Sequence, residues 1–494
     1  MNSKRILPAA LLASAQLLCA CQSGAAPVSD SSSTGDTTSS EPIETKAEYT
    51  SPGVDYDGAE FTILDYDTDE YFWQAATYSD IHAEEENGDP INDAQYKRNR
   101  QVEEELNITL KTYPVGGVAR FSNASEYRKL ILAGDNSVDA AFVFGAEASS
   151  LLGEGYLTDL HSVPTLKLGA SWWDQNAIDT FTFGGNLEVV TGDISLYTSF
   201  SPIMYFYNKN LAEAFKIDDC YDLVRSGKWT YDKVFEYCEL VAGDLDGNNI
   251  MDENDRYGMA EQLALVSDML ISAGIRYTER DKDGNITLKL NSERTISAIE
   301  KVVPFLNDGN TNSIATNYMK VYSNPFYEMH LPMFKNSQIL FNFNQLLISF
   351  ELRAMETDYG ILPTPKYDEE QEEYYTSMST SWMTLLSVPV TNDRLEITVH
   401  VLDALGYYSQ QYVTPEYIDT TVRYKSLRDE DSAEMLEIIL KSKVYDIAQI
   451  YNWGGILTMV NNLGVKNNLN FASEYAGIES KVLTEMEKTL EQIN

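Results

Sequence analysis

Apolar positions recur along this chain with two alternating periods. "EFTILDY" (60–66) is a short β-rich run. In "DPINDAQYKRNRQVEEELNITLKTYPV", Asp89 and Pro90 supply an N-cap and a first-turn proline. Val102 and Leu106 then share one helical face, and "ITLKTY" turns to strand composition. "ASEYRKLILAGD" predicts a second helix, and "VDAAFVF" (138–144) a continuous apolar strand. Strand, helix, strand, helix, strand, with the strands apolar throughout, predicts a parallel α/β arrangement.

The middle and the end continue in kind. "SPIMYFYNKNLAEAF" predicts a strand running into a helix, and "SGKWTYDKVFEYCELVAG" a helix capped at or near Thr230. "SQILFNFN", "YGILPTP" and "WMTLLSVPV" read as strands, and "DRLEITVHVLDALGYYSQQYV" and "SAEMLEIILKSKVYDIAQIY" as helices. A last helix carries Ile478, Val482, Met486 and Leu490 on one stripe. No internal repeat is visible.

The N-terminus changes the picture. Lys4 and Arg5 precede an apolar run from Ile6 to Leu18, too short for a bilayer of ~30 Å but suited to an export signal. The run ends in Leu18-Cys19-Ala20-Cys21, which resembles a bacterial lipobox and implies a signal peptide over 1–20 with Cys21 lipidated. Residues 21–56 form a Ser/Thr/Gly/Asp-rich tether with no aromatic residue before Tyr49, so they bury little apolar surface. The expected place is the extracellular face of a membrane, anchored by lipid.

Charge sharpens this. With 36 basic and 76 acidic residues the net charge is −40, which repels nucleic acid and anionic headgroups. The same surface suits neutral or cationic small ligands and attracts divalent cations.

One acidic stretch has metal-ligand spacing. In "DLDGNNIMDENDRYG" (244–258), Asp244, Asp246, Asn248, Ile250 (through its carbonyl), Asp252 and Asp255 fall at positions one, three, five, seven, nine and twelve of a calcium loop. Gly247 stands at position four, Asn249 at six, and Asp255 replaces the usual Glu. A structural Ca²⁺ brace outside any ligand site is expected, the alternative being an ion-free Asx-rich turn. Cys220 and Cys238 would close a loop of about 19 residues, and the spacing leaves a disulfide and a pair of buried thiols equally open.

Six stretches resemble one family in its order: "INDAQYKRN", "PIMYFYNKNL", "GKWTYDKVFEYCEL", "DLDGNNIMDENDRYG", "YGILPTPKYDEEQ" and "RDEDSAEMLEII". The chain is similar to the extracellular solute-binding lipoproteins of bacterial ABC importers, in the carbohydrate-type family of Gram-positive bacteria. The resemblance implies the two-lobed α/β fold of periplasmic-binding-protein type (type II), its lobes joined by crossing strands. It places the first lobe at 57–197 with about 388–448, and the second at about 198–387 with 449–494. Crossings are expected near 193–202, near Trp382 to Val390 and near Tyr451 to Gly455.

It also implies capture of a sugar or oligosaccharide for delivery to the permease subunits of an ABC importer. Sugar rings pack on aromatic faces and need planar polar partners for their hydroxyls. Trp73, Asn344, Gln345, Trp382 and Trp453 are the candidates by their places at strand ends and crossings. Trp172 and Trp173 are expected in interlobe packing, and Asp67 and Asp193 could accept hydroxyls. A ligand-presenting sensor lipoprotein would share this sequence. A cell-surface glycan-active enzyme is the other alternative, but no G-x-S-x-G, H-E-x-x-H or P-loop pattern occurs and the four histidines are isolated, so no catalytic residue is assigned.

Overall fold

The predicted apolar runs become buried strands. Phe61, Ile63 and Leu64 of the first run and all of Ala140–Phe144 are sealed from solvent. A computed structural model describes residues 49–66, 78–115, 122–262, 265–282, 284–353, 355–418 and 430–493. The export signal, Cys21, the tether up to residue 48, Asp67 and Trp73 lie outside the described residues.

In chain order the strands among these residues are β1 (Ala59–Tyr66), β2 (Ile108–Val115), β3 (Ala140–Phe144), β4 (Ile203–Asn208), β5 (Tyr257–Glu261), β6 (Thr278–Arg280), β7 (Ile286–Leu288), β8 (Asn312–Ile314), β9 (Ile339–Gln345), β10 (Tyr359–Leu362), β11 (Thr376–Ser377), β12 (Thr384–Ser387) and β13 (Lys443–Val444). Two sheets dominate. The first has the order β12-β3-β1-β2, the second β10-β4-β9-β5-β8.

Both sheets are mixed. β1 runs parallel to β2 and β3, while β12 is antiparallel to β3. β5 runs parallel to β8 and β9, while β4 is antiparallel to β9 and β10. An apolar run reports that a strand is buried on both faces but not its direction, so the purely parallel reading missed β4 and β12, the strands that run against their sheets.

Local signals set the helix ends. Asp89 accepts hydrogen bonds from the Ile91 and Asn92 amides at 3.0 and 3.2 Å, ahead of helix Pro90–Leu106. Thr230 stands at the N-cap of helix Tyr231–Val241 with extended backbone, but its side chain makes no capping bond. This helix lies so close to β5 that a Cβ on Gly258 would sit 2.2 Å from the Cys238 Cα. Cys220 and Cys238 are both buried free thiols, each pushed up by burial, so the bridged alternative does not hold here. The helix expected over 432–451 is interrupted by β13, which pairs with β11.

The chain leaves the first sheet after β3, enters the second at β4 and rejoins the first at β12. Ser379 donates its amide to the Ser201 carbonyl at 3.0 Å, so the outgoing and returning passes lie side by side. β12 joins the first sheet within the stretch Trp382 to Val390 where the return was expected. One placement differs from the expected boundaries. Helix Glu430–Lys441, expected in the first lobe, packs on the second-sheet side: Arg225 pairs with Asp431 and Glu434, and the Tyr221 and Ser432 hydroxyls bond at 2.7 Å. An amphipathic stripe shows that a helix docks, not on which lobe.

Trp172 and Trp173 both point their indole N–H at Asp403 Oδ1, at 3.4 and 3.3 Å, beside Tyr49 and Tyr407. They pack within the first lobe, a correction to the expected interlobe role.

Candidate functional site

A cavity of about 320 Å³ opens where the end of β9 meets the crossing segment before β12. β9 delivers Asn344 and Gln345 in register with Met204 and Ile203 of β4. The crossing delivers Met378 to Trp382, and helix Val266–Ser272 delivers Ser267 and Asp268. Phe326 and Tyr327 come from a helical turn, Gln449 from helix Ile447–Tyr451, and Leu457 and Asn461 from helix Ile456–Val465.

The lining is rich in neutral polar groups. Six amides face the space: Gln262, Asn324, Asn344, Gln345, Gln449 and Asn461. Hydroxyls come from Ser267, Ser379, Thr380, Ser381 and Tyr327, and rings from Phe326, Tyr327 and Trp382. Several of these side chains are held in place. Gln449 Nε2 and the Tyr277 hydroxyl both donate to Ser267 Oγ, at 3.1 and 2.7 Å, and the Ser267 amide donates to Asn461 Oδ1 at 3.3 Å. Trp382 is backed by Tyr197, with centroids 5.9 Å apart and planes at 11°.

Among the described residues the cavity carries one carboxylate and no Lys, Arg or His. Asp268 accepts a 2.6 Å hydrogen bond from Ser377 Oγ on Oδ1. Burial pushes its carboxyl up to about 6 against that bond. Glu261, the residue before Gln262, is buried off the lining. Burial pushes it well above the usual carboxylate range, and neither oxygen has a hydrogen-bond partner among the described residues.

Asn344, Gln345 and Trp382 are thus brought together, whereas Trp453 is not. Its indole N–H donates to Thr489 Oγ1 at 3.0 Å, and its ring stacks on Tyr451 at 4.5 Å and abuts Phe183 at 5.0 Å. It is a packing residue beneath the C-terminal helix Phe471–Ile493, which corrects its place among the ligand candidates. Asp193 lies elsewhere, accepting bonds from Gln410 and Thr414. Asp268, Gln449 and Asn461 escaped sequence reasoning. The one usable signal was the Ser379-Thr380-Ser381 run directly before Trp382.

The acidic loop sits apart from this lining. One carboxylate oxygen each from Asp244, Asp246 and Asp255 lie within 4.8 Å of one another. Gly247 and Asn249 take left-handed backbone, with φ of 75° and 62°, so the turn that a calcium loop needs is made at positions four and six. Asn248 Oδ1 accepts the Ile250 amide, and Asp252 Oδ1 the Asn254 amide. The donor set is all oxygen and mostly carboxylate, which fits a hard cation.

Comparison with known proteins yields likeness in structure. No protein-family model and no curated protein matches the sequence. An ABC substrate-binding protein of Listeria monocytogenes in complex with cycloalternan superposes with a TM-score of 0.53 at 13% identity, over 89% of this chain and 98% of its own. A sugar transporter of Rhizobium etli in an open conformation gives 0.54 at 10% identity, over 88% and 99%. UgpB of Mycobacterium tuberculosis in complex with glycerophosphocholine gives 0.54 at 15% identity, over 81% and 97%. The chain has the two-lobed substrate-binding-protein fold. In that frame the cavity lies at the crossing segments, where the two lobes meet.

Proposed function

We propose that this protein is an extracellular solute-binding protein that captures a neutral sugar or short oligosaccharide and hands it to an ABC permease. The observation that carries the reading is the lining. Six amides, five hydroxyl-bearing side chains and Trp382 surround a space that has, among the described residues, no cation for an anionic ligand. Amides offer both donors and acceptors, which match hydroxyls of either role, and indole faces suit the apolar face of a sugar ring. The neighbours in complex with cycloalternan or described as sugar transporters support the same class. Closure of the two lobes around the solute would present one conformation to the permease. A binder needs no turnover, and the saccharide should be recovered unchanged.

The export signal and lipobox support anchoring through Cys21, so the Cys21→Ser protein should appear in the medium or stay unprocessed. The loop 244–255 supports a bound Ca²⁺, held by Asp244, Asp246, Asn248, the Ile250 carbonyl, Asp252 and Asp255, where the ion would brace the turn between helix Tyr231–Val241 and β5.

The test is a thermal-shift screen of neutral mono- and oligosaccharides followed by calorimetry. A cognate sugar should bind with micromolar affinity or better, about −8 kcal/mol. Trp382→Ala should weaken it by ~1–3 kcal/mol. No shift with any saccharide, or steady turnover of a glycan, would reject this function.

A further inference from the structure

The one carboxylate of the cavity is built like a residue kept for a ligand. Among the described residues its only hydrogen-bond donor is Ser377, which serves Oδ1. No cationic side chain among the described residues shares the cavity. Among the described residues the Tyr231 and Tyr277 phenols feel its field and the Tyr327 phenol lines the same cavity, and none of them can compensate a negative charge. Tyr231 bonds Ser272 and the Met269 carbonyl, and Tyr277 bonds Ser267, so neither hydroxyl is turned to Asp268. A half-buried carboxylate without a counter-cation costs folding free energy. That cost is offset when a ligand brings the missing donors.

Resting on the reading of this cavity as the solute site, we propose that Asp268 is its specificity determinant. It takes solutes that bring hydroxyl donors to the carboxylate, and it turns away solutes that carry a carboxylate or a phosphate. A hydroxyl donating to an ionised carboxylate makes a charge-assisted bond, stronger than a neutral one. An anionic solute would place a second negative charge in a wall of low dielectric with no cation among its described residues to absorb it. The amides at Asn344, Gln345, Gln449 and Asn461 accept or donate to the remaining hydroxyls without discriminating charge.

The experiment uses the mature protein and Asp268→Asn with six probes: maltose, cellobiose, mannobiose, xylobiose, glucuronate and glucose 6-phosphate. Wild type should bind at least one neutral disaccharide and neither anion. Asp268→Asn, with one oxygen replaced by a donor, should weaken that binding about tenfold or more. A ligand-free arm is read beside it. The folded carboxyl titrates above its unfolded value, so the ionised side chain costs stability once the pH exceeds that of its folded titration. Asp268→Asn should therefore melt about 1–3 °C above wild type at pH 7.5, the gap closing by about pH 4.5. Neutral-sugar binding within twofold of wild type overturns the role of Asp268 and leaves the carbohydrate reading intact. Preference for glucuronate or glucose 6-phosphate overturns the charge discrimination. Binding to none of the six overturns the carbohydrate reading. An Asp268→Asn protein no more stable than wild type at pH 7.5 overturns the inference whatever the sugars do.

Discussion

Two acidic places flank β5, and they treat their carboxylates in opposite ways. In the loop before the strand, Asp244 accepts the amides of Gly247 and Asn249 at 2.6 and 2.7 Å, and Asp255 those of Leu245 and Asp252 at 2.8 and 2.9 Å. In the helix after the strand, Asp268 has the single Ser377 hydroxyl. The Asn249 amide holds the exposed Asp244 carboxyl below the usual range, while burial raises Asp268. Donors a few residues away leave a spacing pattern in the sequence. A carboxylate whose donors come from a distant strand or a ligand leaves none, and 76 acidic residues hide it well.

The largest change should come from Asp255→Ala. This side chain is fully buried, and its loss strands two amide donors, at a cost of about 3 kcal/mol in urea unfolding with chelator present. A loss under 0.5 kcal/mol would mean that the loop does not depend on its own carboxylates.

Next come the two pH responses, which should differ in sign. Asp268 is raised in the folded state, so the stability it gives is full below its unfolded value and lost as the pH rises through about 6. Asp244 is lowered, so its contribution is present above the unfolded value and lost as the pH falls through the folded one. Subtracting the melting profiles of Asp268→Asn and of Asp244→Asn from that of wild type should give slopes of opposite sign, and parallel slopes would erase the distinction.

The smallest effect concerns calcium. At millimolar ion and an extracellular-type affinity, occupancy should add about 1 kcal/mol to wild type and nothing to the Asp244→Ala, Asp246→Ala double variant. Sugar affinity should not follow the ion. A tenfold loss of sugar binding on chelation would join the two places into one site.

Other pairs show the same divide. Trp382 and Trp453 look alike in the sequence, each beside a predicted crossing. One lines the cavity and the other is stacked on Tyr451 and tied to Thr489. Asp89 capped its helix as read, because cap and amides are within three residues. Thr230 stands at the cap position without capping. The purely parallel sheet did not hold, because β12 reaches β3 from 240 positions away and periodicity carries no direction.

By itself the sequence determined what depends on neighbours along the chain: the buried strands, the helix starting at Pro90, the stripe that docks the last helix, and the left-handed turn of the acidic loop. It also carried, through six ordered stretches, the two-lobed fold. Tertiary structure alone decided which lobe the helix 430–441 joins, that Cys220 and Cys238 stay apart as thiols, and that Asp268 faces Trp382 and Asn344 across one cavity. The lining spans residues 262 to 461. Its members meet only after the chain has crossed between the lobes, and no local period records a contact closed over that distance.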